Sequence, residues 1–168
     1  AVDGVVLVVG ASTGLRSEIE RVWDLVQEHE LPCLLFINEL DKERVDYRSF
    51  LAECEKTLEF TGVPITIPVG EEATLTGVID LISRNIISPV SGTPKVHQTE
   101  ISPEHQPVAN EFRRRAMEQV AETNDQLLEK YLTQGEISDE DLQDGLTLGT
   151  LERKLVPVLC GSAILNIG

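Results

Sequence analysis

A chain of 168 residues with a net charge of −15 and an apolar fraction of 41% has an ordinary globular composition with a large acidic excess. This length suits one full domain, or a partial domain joined to a smaller one. The acidic excess argues against direct binding to a nucleic-acid backbone, because phosphates attract basic surfaces. No apolar run approaches the roughly eighteen residues that a membrane-spanning helix needs, so no membrane partner is expected.

The cysteines and the chain ends indicate the cellular setting. Cys33, Cys54 and Cys160 are scattered, without the Cys-x-x-Cys spacing of a metal or redox site. They are predicted to be buried free thiols in a reducing cytoplasm, with no metal site. The first residues lack the basic flank and cleavage sequence of a signal peptide. Both ends interrupt the run of strands and loops, so we expect a fragment of a longer cytoplasmic protein.

Strands and helices alternate over the first part of the chain. Residues 5–9 form a run rich in β-branched side chains, typical of a buried strand. Apolar residues recurring at helical spacing then predict a helix over residues 17–29. A second strand, residues 33–37, is predicted to be buried on both faces, and a helix capped by Asp46 follows it. This rhythm predicts a parallel α/β sheet.

The loop at residues 10–14, Gly-Ala-Ser-Thr-Gly, invites comparison with a phosphate-binding loop. A Walker loop needs two glycines five positions apart, followed by a lysine that reaches the phosphates. Here Gly10 and Gly14 are four positions apart, and Leu15 and Arg16 follow. The segment is therefore predicted to be an ordinary strand-to-helix loop.

The pattern changes at residue 62. Residues 63–70 alternate in polarity and contain two prolines, which favours an edge strand because proline cannot donate to a sheet ladder. The later elements are less regular. They are predicted as a strand or short helix at 77–82, a strand at 85–87, an irregular linker or loose hairpin at 88–102, a long helix capped by Ser102, two shorter helices up to residue 145, and a strand at 155–160.

The helical region is strongly acidic. From Glu100 to Lys154, thirteen acidic residues outnumber six basic ones. Such a surface is usually only solvated, but it can also be a docking face for a partner. Residues 113–115 are three consecutive arginines, which span most of a helical turn, so at least one must face solvent.

Two polar motifs follow the carboxyl ends of two predicted strands. Asn38 and Asp41 follow the strand at 33–37, and Ser162 and Ala163 follow the strand at 155–160. In open α/β sheets, ligands bind at this edge. A carboxylate can accept two hydrogen bonds from the N1–H and the exocyclic amine of guanine, and an asparagine can brace neighbouring loops. Asn-x-x-Asp alone also occurs in ordinary turns, but two such motifs in this order are more specific.

About a hundred residues separate the two motifs, whereas a compact nucleotide domain needs only one helix there. The excess predicts an inserted α+β subdomain. The expected fold is therefore α/β: a partial P-loop-NTPase-type parallel sheet with helices, plus the insertion. The two motifs resemble the guanine-reading motif and the closing Ser-Ala loop of GTPases. By that resemblance we assign residues 1–61 to the C-terminal part of a GTPase domain, 62–154 to the insertion, and 155–168 to the last strand and guanine-contacting loop.

The order of these segments resembles the bacterial elongation factor G family of translational GTPases. Residues 36–42, Phe-Ile-Asn-Glu-Leu-Asp-Lys, lie where that family has its Asn-Lys-x-Asp motif, and residues 156–163 resemble its closing Ser-Ala loop. Residues 1–4 followed by an apolar strand resemble the strand after switch II. Residues 63–81 resemble the start of its inserted subdomain, and residues 129–132 a segment of its helices. The resemblance covers almost the whole chain.

The resemblance implies a GTP-hydrolysing factor that promotes ribosomal translocation. Asn38, Asp41, Ser162 and Ala163 would hold the guanine of GTP or GDP, and a backbone N–H of the Ser-Ala loop would contact the base oxygen. The acidic insertion would face the ribosome, through the ribosomal stalk proteins. The phosphate loop, the Mg²⁺ ligands and the catalytic histidine would lie before Ala1. The fragment would then contain no catalytic residue and would not hydrolyse GTP alone.

Glu39 departs from the family pattern, which has lysine at this position. That lysine packs along the base and ribose and links to the phosphate loop. A carboxylate near a negative nucleotide cannot do the electrostatic part, and Lys42 is poorly placed to replace it. The departure predicts a divergent paralogue. It leaves two alternatives open: a ribosome-docking or regulatory paralogue with weakened nucleotide binding, and a tetracycline-resistance-type ribosome protection GTPase.

Overall fold

The computed structural model describes residues 2–93 and 95–168 and shows a mixed α/β fold with two sheets. The elements in chain order are β1 (Val5–Gly10), α1 (Ser17–Glu28), β2 (Cys33–Asn38), α2 (Tyr47–Leu58), β3 (Gly62–Pro64), β4 (Thr66–Val69), a 3₁₀ turn (Glu72–Thr74), β5 (Gly77–Asp80), β6 (Asn85–Pro89), β7 (Val96–Glu100), α3 (Gln106–Ala121), α4 (Asp125–Gln134), α5 (Asp139–Leu151) and β8 (Val156–Cys160). The predicted α/β class, with a parallel sheet and helices, is confirmed, and a separate antiparallel sheet accompanies it.

The first sheet is parallel, with strand order β1-β2-β8-β3. One face packs against apolar side chains of α1 and α2, including Trp23 and Leu51. The other face is more open: Val6 and Val8 of β1 are 59% and 53% exposed, and the outward residues of β2 are only half-buried. The prediction that β2 is buried on both faces is therefore wrong, because among the described residues the helices of this half cover one face only.

The second sheet is antiparallel, with order β4-β5-β6-β7. The ambiguous segment at 77–82 forms strand β5 followed by a turn, and the predicted linker contains β7, which pairs with β6 as a hairpin. Pro94, within that linker, lies outside the described residues. The long helix begins later than predicted: α3 starts at Gln106, because Ser102 forms a turn with His105 and its hydroxyl lies 2.7 Å from the His105 Nδ1.

The two sheets meet within the proline-containing segment that was predicted to be one edge strand. It divides into β3, at the edge of the parallel sheet, and β4, at the edge of the antiparallel sheet. Ile65, between them, donates its N–H to Val158 of β8 at 2.7 Å and accepts from the Leu81 N–H at 2.9 Å. The predicted boundary at residue 62 places β3 in the insertion, whereas β3 pairs with β8 in the parallel sheet.

Apolar burial and ion pairs fix the helices of the second half. A cluster including Val63, Val120 and Leu142 joins β3 to α3 and α5. In the predicted arginine run, only Arg114 is exposed. Arg113 bonds the Leu81 carbonyl and the Asp139 carboxylate, and Arg115 bonds Glu55 of α2. Two of the three arginines are therefore structural links between elements.

All three cysteines are buried free thiols. Burial raises the pKa of both Cys54 and Cys160 to about 12, so these thiols stay protonated at neutral pH. Within residues 2–93 and 95–168, no helix has the length and apolar character needed to cross a bilayer.

Candidate functional site

The two predicted polar motifs lie side by side at the carboxyl edge of the parallel sheet. Strands β2 and β8 are neighbours, with Ile37 opposite Cys160. The chain leaves both strands in register: the Gly161 N–H donates to the Ile37 carbonyl at 2.9 Å, and the Leu40 N–H donates to the Gly161 carbonyl at 3.3 Å. Two loops far apart in sequence therefore form one surface at the edge where α/β sheets bind ligands.

Asn38 connects the two loops directly. Its Oδ1 accepts a hydrogen bond from the Ala163 N–H at 2.9 Å. Its own carbonyl accepts from the Ala11 N–H at 2.9 Å, which joins the loop after β1 to the same surface. The asparagine thus has the bracing role expected from its amide.

Asp41 lies beside Ser162, with its side chain only 12% exposed. The pKa of the Asp41 carboxyl is lowered, chiefly by a hydrogen bond with the Ser162 side chain, and also by Lys42, whose Nζ is 3.3 Å from Asp41 Oδ2. The carboxylate is therefore ionised at neutral pH and acts as an acceptor. Because Lys42 pairs with Asp41, it does not take the place of the lysine that Glu39 replaces.

The Ser162 loop is closed by its own backbone. Ser162 and Ile167 exchange both backbone hydrogen bonds, at 2.9 and 3.0 Å, and Ser162 is fully buried. A Cβ on Gly161 would overlap the Ile167 carbonyl oxygen, so the tight turn requires glycine here. The Ser162 and Ala163 N–H groups both have partners within this part of the chain. A base oxygen would therefore have to share the Ala163 N–H with Asn38 or displace it.

Glu39 points toward the loop after β1. Its backbone is left-handed, with φ of 69°. Its carboxylate accepts a hydrogen bond from the Ser12 hydroxyl. Sequence reasoning did not identify Ser12, because a serine in a Gly-Ala-Ser-Thr-Gly loop has no feature that separates it from an ordinary turn residue.

A buried polar junction supports the site from behind. The Thr66 Oγ1 accepts from the Cys160 N–H at 2.9 Å, one residue before the Gly161 turn. The Thr66 carbonyl accepts from the Tyr47 hydroxyl at 3.2 Å and from the Cys160 thiol at 3.4 Å. These bonds link the first residue of β4 to the last residue of β8, and hence the antiparallel sheet to the candidate site.

A cavity of about 420 Å³ lies next to the site, between the start of α2, the loop after β4 and α3. Leu40 borders it, and Ile67, Val108 and Phe112 supply apolar lining. Arg48 lies over the Phe112 ring and pairs with Glu111. No group of three or more His, Cys, Asp or Glu side chains in the described ranges is arranged to hold a metal ion.

Comparisons with known proteins match almost the whole chain. The family model described as elongation factor Tu GTP binding domain matches residues 1–168. The crystal structure of the protein ttk003000868 from Thermus thermophilus is similar, with a TM-score of 0.86 and 28% sequence identity. That match covers 99% of this chain and 24% of the Thermus protein, so the chain spans about a quarter of the length of this relative.

Proposed function

Since the chain belongs to the elongation factor Tu GTP binding domain family, we propose that it comes from an elongation-factor-G-like GTPase that acts in ribosomal translocation. The chain is the GTP-binding domain of a translational GTPase. The whole protein is proposed to act on the ribosome in the cytoplasm.

The proposed guanine site consists of Asn38, Asp41, Ser162 and Ala163. The observation that carries it is the Asn38–Ala163 hydrogen bond, which holds two sequence-distant loops together at the sheet edge. Beside that bond, the Asp41 carboxylate is ionised and presents an acceptor edge that fits the N1–H and amine of guanine. Adenine has no such pair of donors at that edge, so this arrangement favours guanine nucleotides.

The division into residues 1–61, 62–154 and 155–168 remains part of the proposal, except that β3 is assigned to the parallel sheet because it pairs with β8. It is supported by the separate antiparallel sheet and the three helices between β3 and β8. The acidic surface of those helices suits a basic partner surface on the ribosome through charge complementarity. The resemblance to elongation factor G, and not the charge, is the reason for proposing the stalk proteins. The alternative of a solvated face predicts that charge reversal there leaves ribosome binding unchanged.

No side chain of this chain is assigned to the phosphates or to Mg²⁺. The residues after Gly10 lack a Walker lysine, and the described residues hold no metal-type cluster. When bound, Mg²⁺ supplies charge neutralisation at the β- and γ-phosphates in this class of reaction. The role proposed for Asn38, Asp41, Ser162 and Ala163 is to bind and orient the base.

Calorimetric titration of the intact protein with GDP, GTP, XDP and ADP tests the base assignment. Asp41→Asn should weaken GDP binding about 10²–10⁴-fold, because it removes two charge-assisted hydrogen bonds of about 1.5–3 kcal/mol each. It should strengthen XDP binding, since an amide can donate to the xanthine 2-oxygen. Asp46→Asn is the matched control: Asp46 caps α2 outside the site, and asparagine also caps helices. Equal binding of ADP and GDP by the native protein would refute the proposal.

A second candidate function is favoured by Glu39 at the position where the family has lysine. If the intact protein binds ribosomes equally with and without nucleotide, it is a docking or regulatory paralogue. Co-sedimentation with ribosomes, with GDP, with a non-hydrolysable GTP analogue and without nucleotide, separates this from a nucleotide-dependent factor. Protection of translation against tetracycline in the same preparation separates the ribosome-protection alternative.

A further inference from the structure

We propose that the hydrogen bond between Ser12 and Glu39 is a tether that holds the loop at residues 38–42 in the shape that binds guanine. Glu39 would serve in place of the lysine found in the family. This inference rests on the proposed guanine site. It reverses the expectation that a carboxylate at position 39 marks a decayed motif. Glu39 is here a positioning residue, which acts through its neighbours Asn38 and Asp41.

The backbone makes Glu39 the bend of the loop. Asn38 is the last residue of β2, and Leu40 is buried with its N–H bonded to Gly161. Glu39 turns the chain between them in a left-handed conformation, which is unfavourable for any residue with a side chain. Its carbonyl accepts from the Lys42 N–H at 3.1 Å, which closes the turn that carries Asp41. A contact that fixes Glu39 therefore fixes the residues on both sides.

The loop after β1 lies against the Glu39 side chain. A Cβ on Gly10 would lie 2.6 Å from Glu39 Oε2, so the carboxylate sits close to the Gly10 backbone. The Thr13 N–H and hydroxyl both bond the Gly10 carbonyl, at 3.1 and 3.0 Å, which sets the turn that presents the Ser12 hydroxyl. With the Ala11 N–H bonded to the Asn38 carbonyl, backbone and side chain link the same two loops at adjacent points.

The charges around Glu39 fit a tether and not a salt bridge. In the part of the chain that the structure describes, no Lys or Arg pairs with Glu39, and its hydrogen-bond partner is Ser12. The nearest lysine in sequence, Lys42, pairs with Asp41. A lysine at position 39 would offer the Ser12 hydroxyl no acceptor. The neighbouring Gly10 carbonyl could not replace it, because that carbonyl already accepts from Thr13.

A double-mutant cycle on the intact protein tests the tether. Ser12→Ala and Glu39→Ala should each weaken GDP binding by about 3–10-fold, and the double variant should be no weaker than either single one, because both remove the same hydrogen bond. Glu39→Gln keeps the acceptor oxygen and should stay within about twofold of the native protein. Glu43→Ala, which removes an exposed acid from the same loop, is the charge control.

Base selectivity gives a readout that general destabilisation would not move. IDP lacks the exocyclic amine that Asp41 is proposed to accept from, so a displaced loop should lower the preference for GDP over IDP in Ser12→Ala. Additive losses in the cycle, or unchanged GDP affinity in Ser12→Ala, would overturn the tether. A tenfold gain in Glu39→Lys would also overturn it, since that gain means an unfilled lysine position.

The tether and the guanine site fail in different ways. If the native protein binds no guanine nucleotide, the proposed site is wrong, and the tether is then judged by amide hydrogen exchange of residues 39–42. Faster exchange in Ser12→Ala and Glu39→Ala, restored in Glu39→Gln, supports a tether without nucleotide binding. If the native protein binds no guanine nucleotide and the exchange rates of residues 39–42 are the same in all variants, both the guanine site and the tether are rejected.

Discussion

Replacing Thr66 with valine tests whether the junction behind the site stabilises the fold. Valine and threonine are both β-branched and have nearly the same shape, so the substitution removes the hydroxyl without creating a cavity. The Thr66 Oγ1 accepts from the Cys160 N–H at 2.9 Å, with Thr66 only 6% exposed and Cys160 fully buried. The variant therefore leaves a buried backbone N–H without an acceptor.

The expected loss follows from that unpaired group. A buried donor without its acceptor costs about 1–3 kcal/mol in the free energy of unfolding. For a chain of this size, 1 kcal/mol lowers the melting temperature by about 2–4 °C, so we expect a fall of roughly 2–12 °C. Cys160 directly precedes the Gly161 turn, so guanine nucleotide affinity should fall together with stability.

Thermal and urea unfolding, followed by circular dichroism, measure the effect. Thr66→Ser is the matched control, because it keeps the hydroxyl and loses one methyl group. The valine variant should be the less stable of the two. If Thr66→Val unfolds within about 0.5 kcal/mol of the native protein, the Cys160 N–H does not depend on Thr66 and the reasoning fails.

Three further results are expected. Gly161→Ala should abolish guanine nucleotide binding in calorimetry, because a Cβ there overlaps the Ile167 carbonyl; near-native affinity would mean that the loop relaxes freely. Arg113→Met should lower the unfolding free energy by about 1–3 kcal/mol in urea titration, because the Leu81 carbonyl loses the hydrogen bond from the Arg113 guanidinium. Arg114→Met is the control, because Arg114 is exposed. The pKa of Asp41 is lowered in the folded state, so its stabilising contribution is present above the unfolded pKa of about 4 and is lost as pH falls through the folded pKa. Asp41→Asn should therefore flatten the decline in stability as the pH falls below about 4.

Local patterns predicted the first half of the fold well. The strands β1 and β2 and the helices α1 and α2 have strong apolar periodicity, and their bounds agree with the expected ones within a few residues. Strand β7 was predicted only as part of a loose hairpin, because all five of its residues are exposed and it has no apolar alternation. The start of α3 was misplaced because the Ser102 hydroxyl bonds His105 instead of capping the helix.

Some residues of the candidate site could be identified from the sequence, and one could not. Asn38, Asp41, Ser162 and Ala163 could be selected from sequence, because each follows an apolar strand and the sheet edge they share follows from parallel topology. Their role in reading guanine remains a prediction. Ser12 could not be selected, because its hydrogen-bond partner Glu39 is 27 positions away in the sequence.

Residue order and composition were sufficient to specify the α/β class, the order of the motifs and the acidic character of the helical region, because these depend on local periodicity and charge. The Asn38–Ala163 bond, the Thr66–Cys160 junction and the direction of the Glu39 side chain depend on which strands become neighbours. Such contacts form only when β8 enters between β2 and β3, since pairing across the insertion sets their distances. No pattern confined to one stretch of the chain can specify them.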